Sequence, residues 1–221
     1  MSQGATHEGW VDERLAVEHP GVGLQWTEVA ARPGRTPRAI RDRMRELAGR
    51  YTGATIVQSR QDEIPWAYRV LWRRLGVDPD VDRTPIERLM LERLEAGGLP
   101  SHGMPADATV VATLETGIPV CVFDAAAIEG TLGLRPARSG ERFGGEDGLP
   151  LRSGEVVYAD AKRPVARLSG DVAVACAPRD GTTRMLVCAL AAATVSQMAL
   201  DEALWTASNL LEAAGRLEGS S

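Results

Sequence analysis

Two side chains in this sequence could take part in proton transfer or nucleophilic attack, His102 and Cys121. His102 follows Leu99-Pro100-Ser101 in a loop-like stretch directly before the phrase ADATVVATLETGIPVCVFD, so it is a candidate general base, with a surface or loop-stabilising histidine as the alternative. The Cys121 thiol could attack an ester as a nucleophile, which requires a lowered pKa and a neighbouring base. Because Cys121 lies in an apolar run, a thiol packed in the core or in a pocket wall is the alternative.

The sequence lacks the common motifs of metal and nucleotide chemistry. Its cysteines, Cys121, Cys176 and Cys188, do not have the CxxC spacing of a metal or redox site. There is also no P-loop, no GxGxxG fingerprint and no HExxH motif. We therefore expect no metal, no cofactor and no activation of an amino acid by ATP.

The charge of the chain bears on its partners. A formal net charge of −5 argues against non-specific coating of nucleic acid, and we expect no DNA partner. A local basic face is still predicted between residues 32 and 50, where Arg38, Arg41 and Arg45 are candidates for RNA contact. A solvated helix face is the alternative, because Lys162 is the single lysine and arginine is used nearly everywhere that lysine could be.

The sequence also carries expectations about location and domain organisation. No apolar run reaches the roughly 18 residues of a membrane span, and the N-terminus lacks the basic-then-apolar order of a signal peptide. We therefore expect a cytoplasmic protein with no membrane partner. Residues 1–20 and 216–221 are expected to be flexible, and 21–215 to form a single domain with a motif core at 60–192.

Local patterns predict helices on both sides of a block of strands. A first strand is expected at Gly23–Ala31, and a first helix begins at Pro37, capped by Thr36 and ended by Gly49. Further helices are predicted at 64–75, 84–97 and 195–214, and six further strands at 108–114, 118–123, 130–135, 154–160, 171–177 and 184–192. Trp66 is expected to face the core from its helix. This order of elements indicates an α+β fold.

Four phrases in the middle of the chain carry a family resemblance. In order they are RLEAGGLPSHG ending at Gly103, ADATVVATLETGIPVCVFD ending at Asp124, IEGTLGLRPARSGERF ending at Phe143, and LPLRSGEVVYAD ending at Asp160. Together they resemble the editing module of the phenylalanyl-tRNA synthetase β subunit, its fused third and fourth domains, which also occurs as freestanding proteins. The resemblance implies an α+β domain with a mixed or barrel-like sheet flanked by helices.

The resemblance also implies a pocket for the 3′ end of a mischarged tRNA. In this pocket it assigns substrate-binding roles, position by position, to Asp107, Thr109, Val110, Pro119, Phe123 and Asp171. Two positions depart from the family pattern, because Val110 replaces an asparagine and Cys121 replaces a histidine. Both departures remove polar groups that support hydrolysis in the family. Asp171, in the phrase ARLSGD, could bind a substrate amine or hydroxyl, and a turn aspartate is the alternative.

Two functions are compatible with these residues. The first is binding of tRNA or aminoacyl-tRNA, with hydrolysis of a mischarged aminoacyl ester in trans. The alternative is non-catalytic binding of a small amino-acid-like ligand in the more apolar pocket that Val110 and Cys121 would form. In either case Asp124 is expected to cap a helical turn, and Asp160 to organise the turn after its strand.

Overall fold

A computed structural model describes residues 4–144 and 148–218 of the chain, with side chains described as far as residue 215. Its helices are α1 (Glu13–Glu18), α2 (Arg38–Arg50), α3 (Gly53–Ser59), α4 (Glu63–Arg74), α5 (Pro85–Ala96), α6 (Ala106–Thr116) and α7 (Gln197–Glu218). Its strands are β1 (His7–Glu8), β2 (Trp10–Val11), β3 (Gly23–Ala30), β4 (Val120–Asp124), β5 (Gly133–Pro136), β6 (Arg142–Phe143), β7 (Leu149–Pro150), β8 (Val156–Ala159), β9 (Pro164–Arg167) and β10 (Arg184–Ala191). The α+β class predicted from the sequence is confirmed.

The strands form open sheets. One has the order β1-β3-β10-β4 and is antiparallel throughout, and a second has the order β2-β5-β8-β9, with β2 and β5 parallel. A short hairpin of β6 and β7 stands beside them. The sequence predicted a mixed or barrel-like sheet, and the structure shows a mixed sheet. The described residues form no closed barrel. In the first sheet Cys188 lies opposite Trp26 on one side and Cys121 on the other.

The N-terminal segment, expected to be flexible as far as residue 20, contains regular elements from His7 onward. β1 pairs with β3 and β2 pairs with β5, so backbone hydrogen bonds tie the segment to both sheets. The Asp12 carboxylate accepts from the backbone N–H groups of Arg14 and Leu15 and so caps α1. Residues 1–3 lie outside the described part of the chain. The domain limits themselves stay a prediction.

Helix α2 begins at Arg38, one residue after the predicted start, so Pro37 occupies the N-cap position. Ile40, Met44 and Leu47 are buried on one stripe, as expected. Thr36 does not cap the helix, because its hydroxyl donates instead to the buried Asp107 carboxylate at 2.5 Å. Gly49 does not end the helix either, since α2 continues to Arg50.

Helix α5 shows the predicted start and stop signals. The Glu87 carboxylate accepts from the backbone N–H and the hydroxyl of Thr84, and Gly97 ends the helix with a φ of +70°, which an L side chain rarely adopts. Glu87 also pairs with two arginines, Arg60 and Arg69, so the start of α5 is joined to α4 and to the residues before it.

Two predicted strands were wrong. Residues 108–114 lie in helix α6, whose Ala108, Val111 and Ala112 are fully buried because the helix packs against α2, α5, α7 and β4. A helix that is apolar on nearly every side loses its helical periodicity in the sequence, and its β-branched residues then favour a strand. Residues 171–177 contain only an isolated bridge, at Val172. The sequence pattern also missed β9, which starts with a proline at the edge of its sheet.

The helix at the C-terminus is longer than predicted. Gly215 does not end α7, which continues to Glu218, so the expected flexible tail at 216–221 begins inside the helix and 219–221 lie outside the described residues. Trp66 also differs from its prediction. The side of α4 that faces the core carries Tyr68, Leu71 and Trp72, and this leaves Trp66 47% exposed.

Candidate functional site

The N-terminal turn of α6 is held by the carboxylate of Asp107. This side chain is fully buried and accepts hydrogen bonds from the Thr36 hydroxyl at 2.5 Å, from the Ser101 hydroxyl and from the backbone N–H of His102 at 2.8 Å. Asp107 therefore joins the loop before α2 to the loop before α6. A role for Asp107 in substrate binding stays a prediction, and its observed contacts are all with its own chain.

The same two loops also meet through their backbones. Gly34 and Met104 exchange two hydrogen bonds, of 3.3 and 2.8 Å. Gly103 makes this approach possible, because it has a φ of +88° and a Cβ there would lie 3.0 Å from the Gly34 carbonyl oxygen. The start of α6 is thus fixed by side-chain and by backbone contacts.

Thr109 and Val110 lie in the first turns of α6 and are both partly exposed. The Thr109 hydroxyl donates to the Ala106 carbonyl at 2.7 Å, and its oxygen keeps the capacity to accept a hydrogen bond from a ligand. Val110 packs with its buried side against the core and offers no polar atom from its side chain. This part of the helix presents one hydroxyl and one apolar side chain.

Cys121 lies in β4 with its thiol buried. Burial raises the pKa of this thiol to about 12, an effect larger than the opposing influence of the neighbouring Tyr158 hydroxyl and of Arg88. At pH 7 the thiolate is then present at about one part in 10⁵. The geometry does not fit Cys121 as a nucleophile, because no group next to it lowers the thiol pKa into the neutral range. Its alternative prediction, a packed thiol, agrees with the observed burial.

Arg88 and Asp171 are the charged residues that act on the Cys121 thiol. Arg88 Nη1 donates to Asp171 Oδ1 at 3.3 Å, and both residues influence the pKa of the Cys121 thiol. The Ser169 hydroxyl also donates to Asp171, at 2.7 Å. With side chains 38% and 53% exposed, the Arg88–Asp171 pair is a weak surface ion pair whose partners a charged ligand can replace.

Two of these neighbours were not found from the sequence. Arg88 is one of two partly buried arginines of α5, and Tyr158 is a fully buried aromatic residue in a strand. Neither has a motif of its own. Their relation to Cys121 exists only in the tertiary structure, which sequence spacing alone does not define.

His102, the candidate base, lies in an exposed loop. Its backbone N–H is held by Asp107, whereas no described residue makes a hydrogen bond or an ion pair with its imidazole. The backbone of His102 is therefore held by a hydrogen bond, whereas its imidazole has no hydrogen-bond partner among the described residues. Its role as a base stays a prediction.

Other residues implied by the resemblance belong to the core. Pro119 is buried, and its carbonyl accepts from the backbone N–H of Leu190 at 3.2 Å. Phe123 is fully buried, with its ring tilted against that of Tyr158 at a centroid distance of 6.4 Å. Asp124 caps the short turn that follows β4, as predicted, by accepting from the backbone N–H of Ala126 at 3.0 Å. Pro119 and Phe123 as substrate-binding residues stay predictions.

Asp160 has the structural role predicted for it. Its carboxylate accepts from the backbone N–H groups of Lys162 and Arg163, each at 2.8 Å, and from that of Glu129 at 3.1 Å. These bonds organise the turn between β8 and β9 and attach it to the loop before β5.

The arginines proposed for RNA contact lie on α2. Arg38 and Arg45 are highly exposed and both pair with Asp42 on the same helix. Arg41 instead donates to the Thr36 carbonyl at 2.6 Å. Each of the three therefore has a partner within the chain, and their contact with RNA stays a prediction.

Searches for metal and membrane sites gave no candidate in the described residues. No group of three or more histidine, cysteine or acidic side chains is arranged there to hold a metal ion. None of the described helices is both long and apolar enough to span a membrane.

Comparison with known proteins identifies the family. Residues 67–205 match the model of the B3/4 domain. The chain is 31% identical over 116 residues to the phenylalanine–tRNA ligase beta subunit of Streptomyces avermitilis, and the matched region covers 51% of this chain and 14% of that subunit. It is 36% identical over 93 residues to the same subunit of Xanthomonas campestris pv. campestris, and this matched region covers 41% of the chain and 11% of the subunit. The chain thus matches only a small part of these relatives, and it belongs to the B3/4 domain family.

Proposed function

We propose that this protein binds the aminoacylated 3′ end of tRNA in trans, through the Arg88–Asp171 pair and the first turns of α6. The observation that carries the proposal is the exposed Arg88–Asp171 ion pair, whose charges influence the thiol of Cys121, the residue that replaces a histidine of the family pattern. The match to a tRNA ligase subunit supports the choice of ligand.

The chemistry of the surface suits an aminoacyl ester. Asp171 is an exposed carboxylate that can pair with the α-ammonium group of the aminoacyl moiety. Arg88 supplies a guanidinium for the terminal phosphate. The Thr109 oxygen can accept a hydrogen bond from a ribose hydroxyl.

Binding is better supported than hydrolysis. Cys121 is a protonated, buried thiol, and Val110 offers no polar side-chain atom to orient water. His102 has a free imidazole in an exposed loop, and a base must come within hydrogen-bond reach of the attacking water. We therefore expect the protein to hold aminoacyl-tRNA without shortening the lifetime of its ester.

Binding to charged and uncharged tRNA tests the proposal. We expect aminoacyl-tRNA to bind more tightly than the same tRNA without its amino acid, by about tenfold, which one charge-assisted hydrogen bond would supply. Asp171→Asn should remove most of this preference, whereas Asp180→Asn, which changes an exposed turn aspartate, should keep it. Equal affinity of the wild-type protein for the two forms of tRNA would contradict the proposal.

Deacylation measured on the same samples separates binding from editing. We expect mischarged tRNA to lose its amino acid no faster with the protein than in buffer. If hydrolysis is seen, and is lost in Thr109→Val but not in Thr183→Val, the protein is an editing hydrolase and our choice of binding over catalysis is wrong. Thr183 is an exposed threonine and serves as the matched control.

A second function is favoured by the apolar character of Cys121 and Val110. Their side chains would make the pocket suitable for a free amino-acid-like ligand, bound without reaction. A thermal-shift screen with amino acids and their esters tests this candidate, because a ligand that binds only the folded state raises the melting temperature. Stabilisation by a free amino acid, together with equal binding of charged and uncharged tRNA, would favour it over the first proposal.

The arginines of α2 extend the proposed tRNA contact. Replacing Arg38, Arg41 and Arg45 with glutamine should weaken tRNA binding and reduce the slope of log affinity against log salt by about two to three. A control triple variant at three exposed arginines elsewhere, Arg138, Arg152 and Arg179, should leave the slope closer to that of the wild type. An unchanged slope in the α2 variant would dismiss this face.

A further inference from the structure

A separate cavity of about 150 Å³ lies beside helix α4. Trp66, Val70 and Arg74, spaced by four residues along one face of the helix, form one wall. His19 and Ala193 contribute to the other side, from the turn before β3 and from the segment after β10.

The cavity shares no lining residue with the proposed tRNA site and lies away from the first turn of α6. It lies at the end of β10, next to Leu190, whose carbonyl accepts from the Tyr68 hydroxyl of α4 and whose N–H donates to Pro119 just before β4. The first turn of α6 is near the opposite end of β4, since Asp107 contacts Thr36 and the loop after β3. A ligand in the cavity would therefore be independent of the proposed function.

The local backbone brings the two sides of the cavity together. Gly21 has a φ of +86°, and a Cβ at this position would lie 2.6 Å from the Cα of Ala193. Only glycine permits this approach without displacement of the neighbouring segment. The turn that carries His19 is thus placed against the segment after β10.

The wall on α4 is apolar and only partly covered. Trp66 is 47% exposed, and Arg73 of the same helix lies over its ring at 5.5 Å from the centroid. Val70 is half-buried beside it. A tryptophan at the wall of a cavity offers a large, rigid surface for an apolar or aromatic group.

The cavity carries an unpaired charge. Arg74 is exposed and makes no ion pair or hydrogen bond with any described residue. Its guanidinium favours an anionic ligand, and its planar donor pair matches a carboxylate. His19 contributes to the wall with its Nδ1 atom buried.

We infer that this cavity binds a small monocarboxylate whose apolar group is about the size of one six-membered ring. An apolar protein cavity of about 150 Å³ is large enough for benzene. The ring lies against Trp66 and Val70, and the carboxylate meets Arg74. One guanidinium suits a single negative charge.

Three probes separate the parts of this inference in calorimetry or saturation-transfer NMR on the full chain. Phenylacetate carries both ring and charge, phenylacetamide carries the ring alone and acetate the charge alone. We expect phenylacetate to bind with a Kd below about 1 mM, and the other two at least about tenfold more weakly. Failure of phenylacetate to bind, or equal binding of the amide, would overturn the inference.

Variants then test whether phenylacetate binds in this cavity. Arg74→Gln should weaken phenylacetate binding about tenfold, whereas Arg50→Gln, at an exposed arginine of α2, should not change it. Ala193→Leu should abolish binding by filling the cavity from an exposed position, without removal of any polar group. Binding that survives both cavity changes would refute the assignment, as would loss of binding in Thr109→Val. Circular dichroism of each variant checks that the fold is kept.

Discussion

Replacement of Asp107 gives the sharpest test of how the proposed tRNA site is built. The family resemblance gives this residue a role in substrate binding, whereas the structure buries it completely and surrounds it with donors from its own chain. The two roles differ in what they predict for stability. Asp107→Ala removes the whole carboxylate, and Asp107→Asn keeps its shape while removing its charge.

The magnitude follows from the contacts. Three hydrogen bonds reach the Asp107 carboxylate, and each bond to a charged group contributes about 1.5–3 kcal/mol. Bonds in one network do not add fully, so we expect Asp107→Ala to lower the free energy of unfolding by about 4 kcal/mol. Asp107→Asn should cost about 1–2 kcal/mol, because the amide oxygen still accepts from the His102 N–H and the Thr36 and Ser101 hydroxyls can reorient.

Equilibrium unfolding in urea, followed by circular dichroism, measures both changes. Asp180→Ala is the matched control at an exposed turn and should change the free energy of unfolding by less than about 0.5 kcal/mol. Thr36→Val should reproduce part of the loss, because it removes one of the three donors. A change below about 1 kcal/mol in Asp107→Ala, accompanied by loss of tRNA binding, would refute the structural role and restore the substrate-binding one.

Three further predictions concern buried polar groups. Burial raises the pKa of Cys121 to about 12, so the unfolded state releases the thiol proton near pH 9 while the folded state keeps it. The free energy of unfolding should therefore fall as the pH rises from about 9 toward 12. Cys121→Ala should reduce that fall by up to about 1.4 kcal/mol per pH unit, measured by urea unfolding at a series of pH values. Glu87→Ala removes one of the two carboxylate partners of the buried Arg69 guanidinium, which keeps Asp80, and should lower the free energy of unfolding by about 1.5–3 kcal/mol. The exposed Glu92→Ala should cost less than about 1 kcal/mol. Tyr68→Phe should cost about 1–2 kcal/mol in the same assay, because a buried carbonyl loses its hydrogen bond of 2.5 Å. Values near zero for the last two variants would contradict the assigned contacts.

The elements that the sequence predicted well have local causes. Helix α5 was recognised because a capping box, a proline and two glycines mark its ends within the chain itself. Strands β3, β4 and β10 were recognised from runs of apolar and β-branched residues. The failures have tertiary causes. Helix α6 is buried from several sides, so its sequence has no polar face to give a helical period.

The candidate site was predicted only in outline. The phrase from Ala106 to Asp124 led to α6 and β4, and both are neighbours in the structure. The sequence could not tell that Asp107 turns inward to Thr36, because the two residues are 71 positions apart and the bond depends on how two loops meet. The same is true of Arg88, whose relation to Asp171 spans 83 positions. Contacts between residues so far apart in the sequence depend on how the helices, strands and loops pack.

The two departures from the family pattern change the kind of chemistry that the site can support. Cys121 is surrounded by protonated groups, because burial raises the pKa of the Tyr158 phenol and of the Cys188 thiol as well. The charged residues that influence the Cys121 thiol are Arg88 and Asp171, whose side chains are exposed. Exposed charges can pair with an ammonium or a phosphate, but the protonated Tyr158 and Cys188 do not remove a proton from water at neutral pH. This distribution favours recognition of an aminoacyl end over its hydrolysis, and it predicts that Cys121→His alone would not create a deacylase, because the new imidazole would still face an apolar interior next to Tyr158.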